Sequence, residues 1–248
     1  MKYPADYQPP EHLLQDRVIL ITGAGDGIGR ALALAAARHG ATVVLLGKTV
    51  SKLERVYDEI EGMGAPQAAI YPLHFEGAIP TDYDQLALTL RENFGRLDGL
   101  VHNAALLPYL SRIKDYEPED WMKVMQVNLN GPMLMTQACY ELLSASPHAS
   151  VIFTTDSVAV DQKPFWGAYA ASKAALETMA RMFAQEVANT GIHANLVDPG
   201  PTLTALRKRV FPGEDNSMLK TPDRVTPMYL WLLGGEGARL NGERITFE

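Results

Sequence analysis

Arg17-Val18-Ile19-Leu20-Ile21-Thr22-Gly23-Ala24-Gly25-Asp26-Gly27-Ile28-Gly29 passes directly into an alanine-rich stretch, Arg30 to His39. The first six residues read as a buried strand, the glycines as a sharp turn and the alanine-rich stretch as a helix. Strand, glycine-rich turn and helix in that order make a site for a nucleotide phosphate. Glycine lets the backbone approach a pyrophosphate closely, and the helix N-terminus offers unpaired N–H groups at its positive dipole end. The flanking strand and helix distinguish this turn from a merely flexible one.

Outward from that turn, strands and helices alternate along the whole chain. Candidate strands are Val18–Thr22, Thr42–Leu46, Ala68–Leu73, Gly99–His102, Ser150–Thr155, His193–Val197 and Arg244–Phe247. Candidate helices are Gly27–His39, Ser51–Met63, Tyr83–Phe94, Pro118–Leu143, Tyr169–Asn189 and Pro222–Leu232. Strands apolar on both faces and separated by helices predict an α/β fold: a doubly wound parallel sheet of about seven strands, with helices on both faces. Without repeats or a dividing linker, residues 1–248 read as one domain, with 1–13 as an N-terminal extension. Ligands of such sheets bind beyond the carboxyl ends of the strands, where Gly23, Asn103, Thr155 and Asp198 are expected.

Composition narrows the function classes. The 248 residues are 47% apolar, enough for one large core, and carry a formal net charge of −7 with acidic and basic residues interspersed. No nucleic-acid surface is implied. The apolar runs are too short to cross a bilayer and Met1-Lys2-Tyr3-Pro4 does not open a secretory signal, so a cytoplasmic protein is expected. One cysteine, Cys139, leaves no internal disulfide and no cysteine-based zinc cluster; no metal site is expected.

Tyr169-Ala170-Ala171-Ser172-Lys173 places a phenol and an ammonium four residues apart, on one face of a helix. A fixed positive charge favours the phenolate, which makes the pair a candidate for proton transfer. The spacing alone also suits an ordinary solvated surface pair.

Taken in order, Thr22, the turn Gly23-x-x-x-Gly27-x-Gly29, Asn103-Ala104-Ala105, Asn128, Tyr169, Lys173 and Pro199-Gly200 resemble the short-chain dehydrogenase/reductase family in its single-domain branch. The resemblance runs from about Leu14 to Phe247. Val124-Met125-Gln126-Val127-Asn128, Trp166-Gly167-Ala168-Tyr169 and Phe211-Pro212-Gly213-Glu214-Asp215 are most similar to the bacterial YciK-type oxidoreductases. It implies a Rossmann-type sheet and an enzyme that moves a hydride between a nicotinamide dinucleotide and a carbonyl/alcohol pair. Gly23, Gly27, Ile28, Gly29, Asn103 and Ala104 would then border the cofactor.

Cofactor choice is written at the end of the second strand. Gly47 stands where the family's NAD-selective acid usually does, and Lys48 follows, a cation suited to a 2′-phosphate; NADP(H) is therefore favoured over NAD(H). Asp26 argues the other way, because some NADP-using relatives carry a basic residue there. His74 replaces an Asp that relatives place near the adenine.

The resemblance makes Tyr169 the general acid that protonates the carbonyl oxygen, and the base in reverse. Lys173 would lower its pKa and bind the nicotinamide ribose. Asn128 would bend its helix locally and hold a water in a relay to the lysine. Pro199, Gly200 and either Thr202 or Thr204 would line the nicotinamide or the phosphates. The substrate-orienting serine of relatives stands thirteen residues before the tyrosine, where this chain has Asp156, with Ser157 next. Either Ser157 serves after a shift of one residue, which is the expectation here, or Asp156 has taken its place. An ionised Asp cannot donate to a carbonyl and repels a developing oxyanion. That departure leaves a second reading open, a dinucleotide-binding protein with little turnover.

Loops after Ala105, after Ser157 and from Leu203 to Leu219 should form the substrate pocket, and their aliphatic and aromatic content suggests a fairly apolar substrate. Arg207, Lys208 and Arg209 either hold an acidic substrate group or form a solvated basic helix face, which is the expectation here. The helix carrying Tyr169 is apolar beyond one stripe, and relatives dimerise through it, so a homodimer or homotetramer is expected.

Overall fold

The computed structural model describes Tyr3, Pro4 and residues 6–161 and 163–247; residues 1, 2, 5, 162 and 248 of the span read as one domain lie outside the described residues. Its centre is a seven-stranded sheet, every pairing parallel, formed by β1 (Val18–Thr22), β2 (Thr42–Gly47), β3 (Ala69–Pro72), β4 (Gly99–His102), β5 (Ala149–Thr154), β6 (Ile192–Asp198) and β7 (Arg244–Thr246). The order is β3-β2-β1-β4-β5-β6-β7. Chain direction across the sheet thus reverses between β1 and β4, which opens a crevice there beyond the strand ends. This is the doubly wound, Rossmann-type architecture expected from the alternation.

The helices are α1 (Gly27–Arg38), α2 (Val50–Gly62), α3 (Pro80–Phe94), α4 (Pro118–Met125), α5 (Gly131–Ala138), α6 (Tyr140–Ser144), α7 (Val158–Asp161), α8 (Gly167–Glu186), α9 (Ala205–Val210) and α10 (Thr226–Gly234). Successive strand side chains point to opposite faces. Ile19, Ile21, Val43, Leu45, Val101 and Ile152 therefore pack with Leu32, Val56 and Trp231 from α1, α2 and α10. Leu20, Val44, Leu46, Leu100 and Phe153 pack with Leu86, Met135 and Leu176 from α3, α5 and α8. Burying both faces explains why the strands read as continuous apolar runs.

One expectation changes. The single helix over Pro118–Leu143 is instead α4, a π-helical segment over Gln126–Asn130, α5 and α6. Pro132 has no N–H to give the carbonyl four residues earlier, that of Asn128, and the backbone widens at that point. In the N-terminal extension, Tyr3 meets Trp231 edge-on with ring centroids 5.7 Å apart, and Leu14, just after it, is fully buried.

Candidate active site

The sheet crevice is built first from β1 and β4. Thr22 Oγ1 donates to the Val101 carbonyl at 3.2 Å and accepts the main-chain N–H groups of Asn103 and Ala104, both at 3.0 Å. The Asn103 amide donates to the Thr22 carbonyl at 3.1 Å, so this side chain ties the two strand ends together at the crevice wall. A Cβ on Gly29 would stand 2.2 Å from the Gly23 carbonyl oxygen, and Gly23 itself has φ +68°. Nothing larger than hydrogen fits there, which keeps α1 pressed against the strand end. A cavity of about 720 Å³ runs from Gly23, Gly27 and Ile28 past Ala104 to Tyr169 and Lys173. An open channel over a helix N-terminus, walled by residues that tolerate no side chain, fits a dinucleotide.

At the β2 end of the channel, charge is arranged in pairs. Glu76 lies 3.1 Å from Lys48 Nζ and 3.1 Å from His74 Nε2. Asp26 caps α1 by accepting the Gly27 N–H at 2.7 Å and also pairs with Lys52 of α2. Lys48 and His74 thus border the cavity as expected, and Lys52 and Glu76 join them. Neither carried a local sequence signal; only the packing of α2 and of the segment after β3 brings them to the turn.

At the other end, Tyr169 and Lys173 of α8 are both buried. Lys173 Nζ donates to the Thr154 carbonyl at 2.7 Å and lies 5.6 Å from the Tyr169 ring centroid. Burial brings the lysine pKa down from 10.5 to about 8. Burial, then the nearby Asp156 carboxyl, holds the Tyr169 phenol well above its ordinary value of 10.0. The solvated surface pair is therefore excluded for these two residues.

Between Asp156 and Ser157, the structure aims Asp156 at the tyrosine. Tyr169 Oη donates to Asp156 Oδ2 at 3.4 Å, while Asp156 Oδ1 accepts the Val158 N–H at 3.1 Å. Ser157 also borders the cavity, but it starts the short helix α7, its carbonyl accepting the N–H groups of Val160 and Asp161 at 3.0 and 2.9 Å. The expected one-residue shift toward Ser157 is not taken: once α7 turns away from the strand end, adjacent side chains diverge and the carboxyl is the one left facing Oη. Burial, chiefly, raises the Asp156 pKa.

Asn128 sits in the π-helical segment, and its amide is spent on structure. Oδ1 accepts the Leu106 N–H at 2.7 Å, and Nδ2 donates to the Leu106 carbonyl at 3.0 Å and to Ser172 Oγ at 3.1 Å. It thereby locks the loop after β4 onto α8, one residue from Lys173. Pro199 and Gly200 follow β6 on the cavity wall. Thr202 is buried and donates to the Gly200 carbonyl at 3.0 Å; Thr204 caps α9, accepting the Arg207 N–H at 3.2 Å.

Around Tyr169 the cavity wall includes the apolar Leu106, Val158, Leu206 and Phe211, with the Trp166 ring centroid 5.8 Å from those of both Tyr169 and Phe211. The basic helix face is not simply solvated. Arg207 makes two bonds to Glu214, at 2.7 and 2.6 Å, and Arg209 donates to the Leu107 carbonyl at 3.0 Å. Beneath the site, Arg244 joins Glu177 Oε1 at 3.0 Å and Asp198 Oδ2 at 2.9 Å, and Thr155 Oγ1 donates to the same Glu177 oxygen at 2.8 Å.

The family model for short chain dehydrogenase matches residues 17–215. The chain belongs to the short-chain dehydrogenase/reductase family. This short-chain dehydrogenase is an oxidoreductase, 43% identical over 242 residues to the uncharacterized oxidoreductase YciK of Escherichia coli (strain K12), covering 98% of this chain and 95% of that protein. Among solved structures it is similar to a candidate short chain dehydrogenase from Escherichia coli CFT073 complexed with NADPH, at 42% identity and TM-score 0.93, covering 96% of this chain and 99% of that one. A candidate short chain dehydrogenase from Shigella flexneri 2a str. 301 complexed with NADP is 41% identical, also with TM-score 0.93, with coverage of 96% and 99%. No helix among the described residues of this dehydrogenase is long and apolar enough to cross a membrane.

Proposed function

We propose that this short-chain dehydrogenase transfers a hydride between NADP(H) and a small, fairly apolar carbonyl/alcohol substrate, with Tyr169 as the acid and base. The observation that carries this reading is one continuous cavity, which begins at the glycine turn and ends on the buried Tyr169–Lys173 pair. When bound, the dinucleotide supplies or accepts the hydride. Gly23, Gly27 and Ile28 hold its pyrophosphate at the N-terminus of α1, and Lys173 and the Pro199–Thr204 segment hold its nicotinamide half. Tyr169 Oη meets the substrate oxygen and gives it a proton in reduction. Leu106, Trp166, Leu206 and Phe211 exclude water from that contact, which strengthens the hydrogen bond.

NADP(H) is favoured by two features. Lys48 and Lys52 flank the end of β2, where Gly47 offers no carboxylate, and relatives about 40% identical are complexed with NADP or NADPH. A 2′-phosphate would draw Lys48 from Glu76. We also propose a cytoplasmic homodimer or homotetramer joined through α8, whose Met182 is exposed; a monomeric mass in light scattering removes that assembly.

The test is a panel of carbonyl compounds with NADPH consumption followed by absorbance. Substrate-dependent consumption that falls roughly a hundredfold or more in Tyr169→Phe supports the reading. Tight NADPH binding with no turnover across a broad panel favours a binding protein instead, in which the Asp156 carboxyl beside Tyr169 has silenced proton transfer.

A further inference from the structure

We propose that Asp156 is the proton reservoir of Tyr169: as a carboxylic acid, it passes its proton to the phenol oxygen while the phenol passes its own to the substrate. This rests on the reading of Tyr169 as the acid. The two oxygens are 3.4 Å apart, and the second carboxyl oxygen is held by the Val158 N–H, so Oδ2 is the one turned to the phenol; in the acid form its O–H donates to Oη, the reverse of the bond the phenol gives an ionised carboxyl, and the phenol O–H is free for the substrate. Asp156 is half-buried on the cavity wall, open enough to recover a proton from water when product has left. Lys173 is turned to Thr154, which leaves Asp156, among the described residues, as the titratable group in hydrogen-bond contact with Tyr169 Oη.

Burial, more than the surrounding charges, shifts Asp156 toward the acid form. Lys173 on α8, Arg207 on α9 and the Val158 N–H on α7 favour the carboxylate; burial and Asp198 at the end of β6 favour the acid, burial most of all, and the balance lies upward. Arg207 is turned to Glu214 by two bonds, which weakens its pull on Asp156. Asp198 is in turn joined to Arg244. An ionised Asp156 would oppose charge building on the substrate oxygen, whereas the acid supplies what that oxygen needs.

The step balances. The hydride pair becomes the new C–H bond, and the carbonyl π pair moves onto oxygen. That oxygen takes the Tyr169 proton, and Tyr169 takes the Asp156 proton. The phenol ends neutral and the carboxylate is left near the Lys173 ammonium. In oxidation the same carboxylate receives the proton through Tyr169.

Two measurements test this on the full-length protein. In infrared difference spectra of the unliganded protein through a pH series, native minus Asp156→Asn and native minus Asp156→Ser should show a carboxylic-acid band. That band should persist above the ordinary aspartate range. Its absence at every pH above that range overturns the proposal without any need for turnover. In the reductive direction, native kcat/KM should fall as pH rises through the same titration. Asp156→Ser should lose that limb, and Asp156→Asn should lose roughly tenfold or more at the optimum. An unchanged profile in Asp156→Ser overturns the proposal while leaving the function of Tyr169 standing. Unchanged turnover in Tyr169→Phe overturns the proposal and the proposed function together.

Discussion

The ammonium of Lys173 donates to the main-chain oxygen of Thr154 at 2.7 Å, joining α8 to the end of β5. That single bond does not offset the loss of water, and the lysine pKa falls from 10.5 to about 8. Because the folded value lies below the unfolded one, the unfolded chain binds more protons here between those two values, and stability rises with pH across that window. The shift corresponds to about 3 kcal/mol at full extent. Tyr169, raised in the fold, acts in the opposite direction above its ordinary 10.0, and the buried Cys139 thiol, raised from 9.0 to about 12, does so from about pH 9, so the lysine effect is read between about pH 8 and 9. Urea unfolding of native protein should show the rise, and Lys173→Met should flatten it; parallel curves for the two proteins contradict the assignment.

Gly29 should tolerate no side chain. A Cβ there lies 2.2 Å from the Gly23 carbonyl oxygen and 2.6 Å from Asn103 Nδ2. Gly29→Ala is expected to destabilise by about 1–3 kcal/mol through overpacking and to weaken dinucleotide binding as α1 is pushed from the turn. Gly62, at the end of α2, has nothing within 4 Å of such a Cβ. Gly62→Ala should be neutral or stabilising by up to about 1 kcal/mol, and leave affinity alone. Thermal unfolding and dinucleotide titration separate the two.

Glu76 holds Lys48 and His74, and a 2′-phosphate would compete with it for the lysine. Glu76→Gln should therefore tighten NADPH binding and leave NADH binding nearly unchanged. Lys48→Ala should weaken NADPH roughly threefold to tenfold, in keeping with an exposed charged contact. Equal NADPH and NADH affinities in the native protein would remove the preference itself.

Arg244 compensates two buried carboxylates at once, Glu177 and Asp198. Arg244→Met leaves both with less than their charge requires and should cost about 3–5 kcal/mol. The loss should be largest where Glu177 is ionised and shrink in acid, because Arg244 helps hold the Glu177 carboxyl below its usual range against the effect of burial. A loss independent of pH would assign the effect to packing of the arginine stem.

Much of the fold was legible because its causes are local. Apolar runs bounded by turns marked all seven strands to within two residues at each end, and the glycines of the first turn marked the crevice. The helix over residues 118–143 was misread as continuous, although Pro132 carried the signal; a missing N–H acts one turn earlier, at Asn128, not where the proline stands. Among site residues, Tyr169, Lys173 and the glycines lie on elements whose periodicity sets their direction.

Amino-acid order alone determined an alternating α/β chain with a phosphate turn and a tyrosine–lysine pair on one helix face. Tertiary structure decided what surrounds them. Lys52 and Glu76 reach the cofactor end only through packing of α2 and of the segment after β3. Glu177 and Asp198 meet only through Arg244 from the last strand. Whether Asp156 or Ser157 faces Tyr169 depended on how β5 ends and α7 begins, because at a strand end a small change in backbone direction exchanges two neighbouring side chains. Sequence spacing is blind to that rotation, and here it placed a carboxyl beside the phenol.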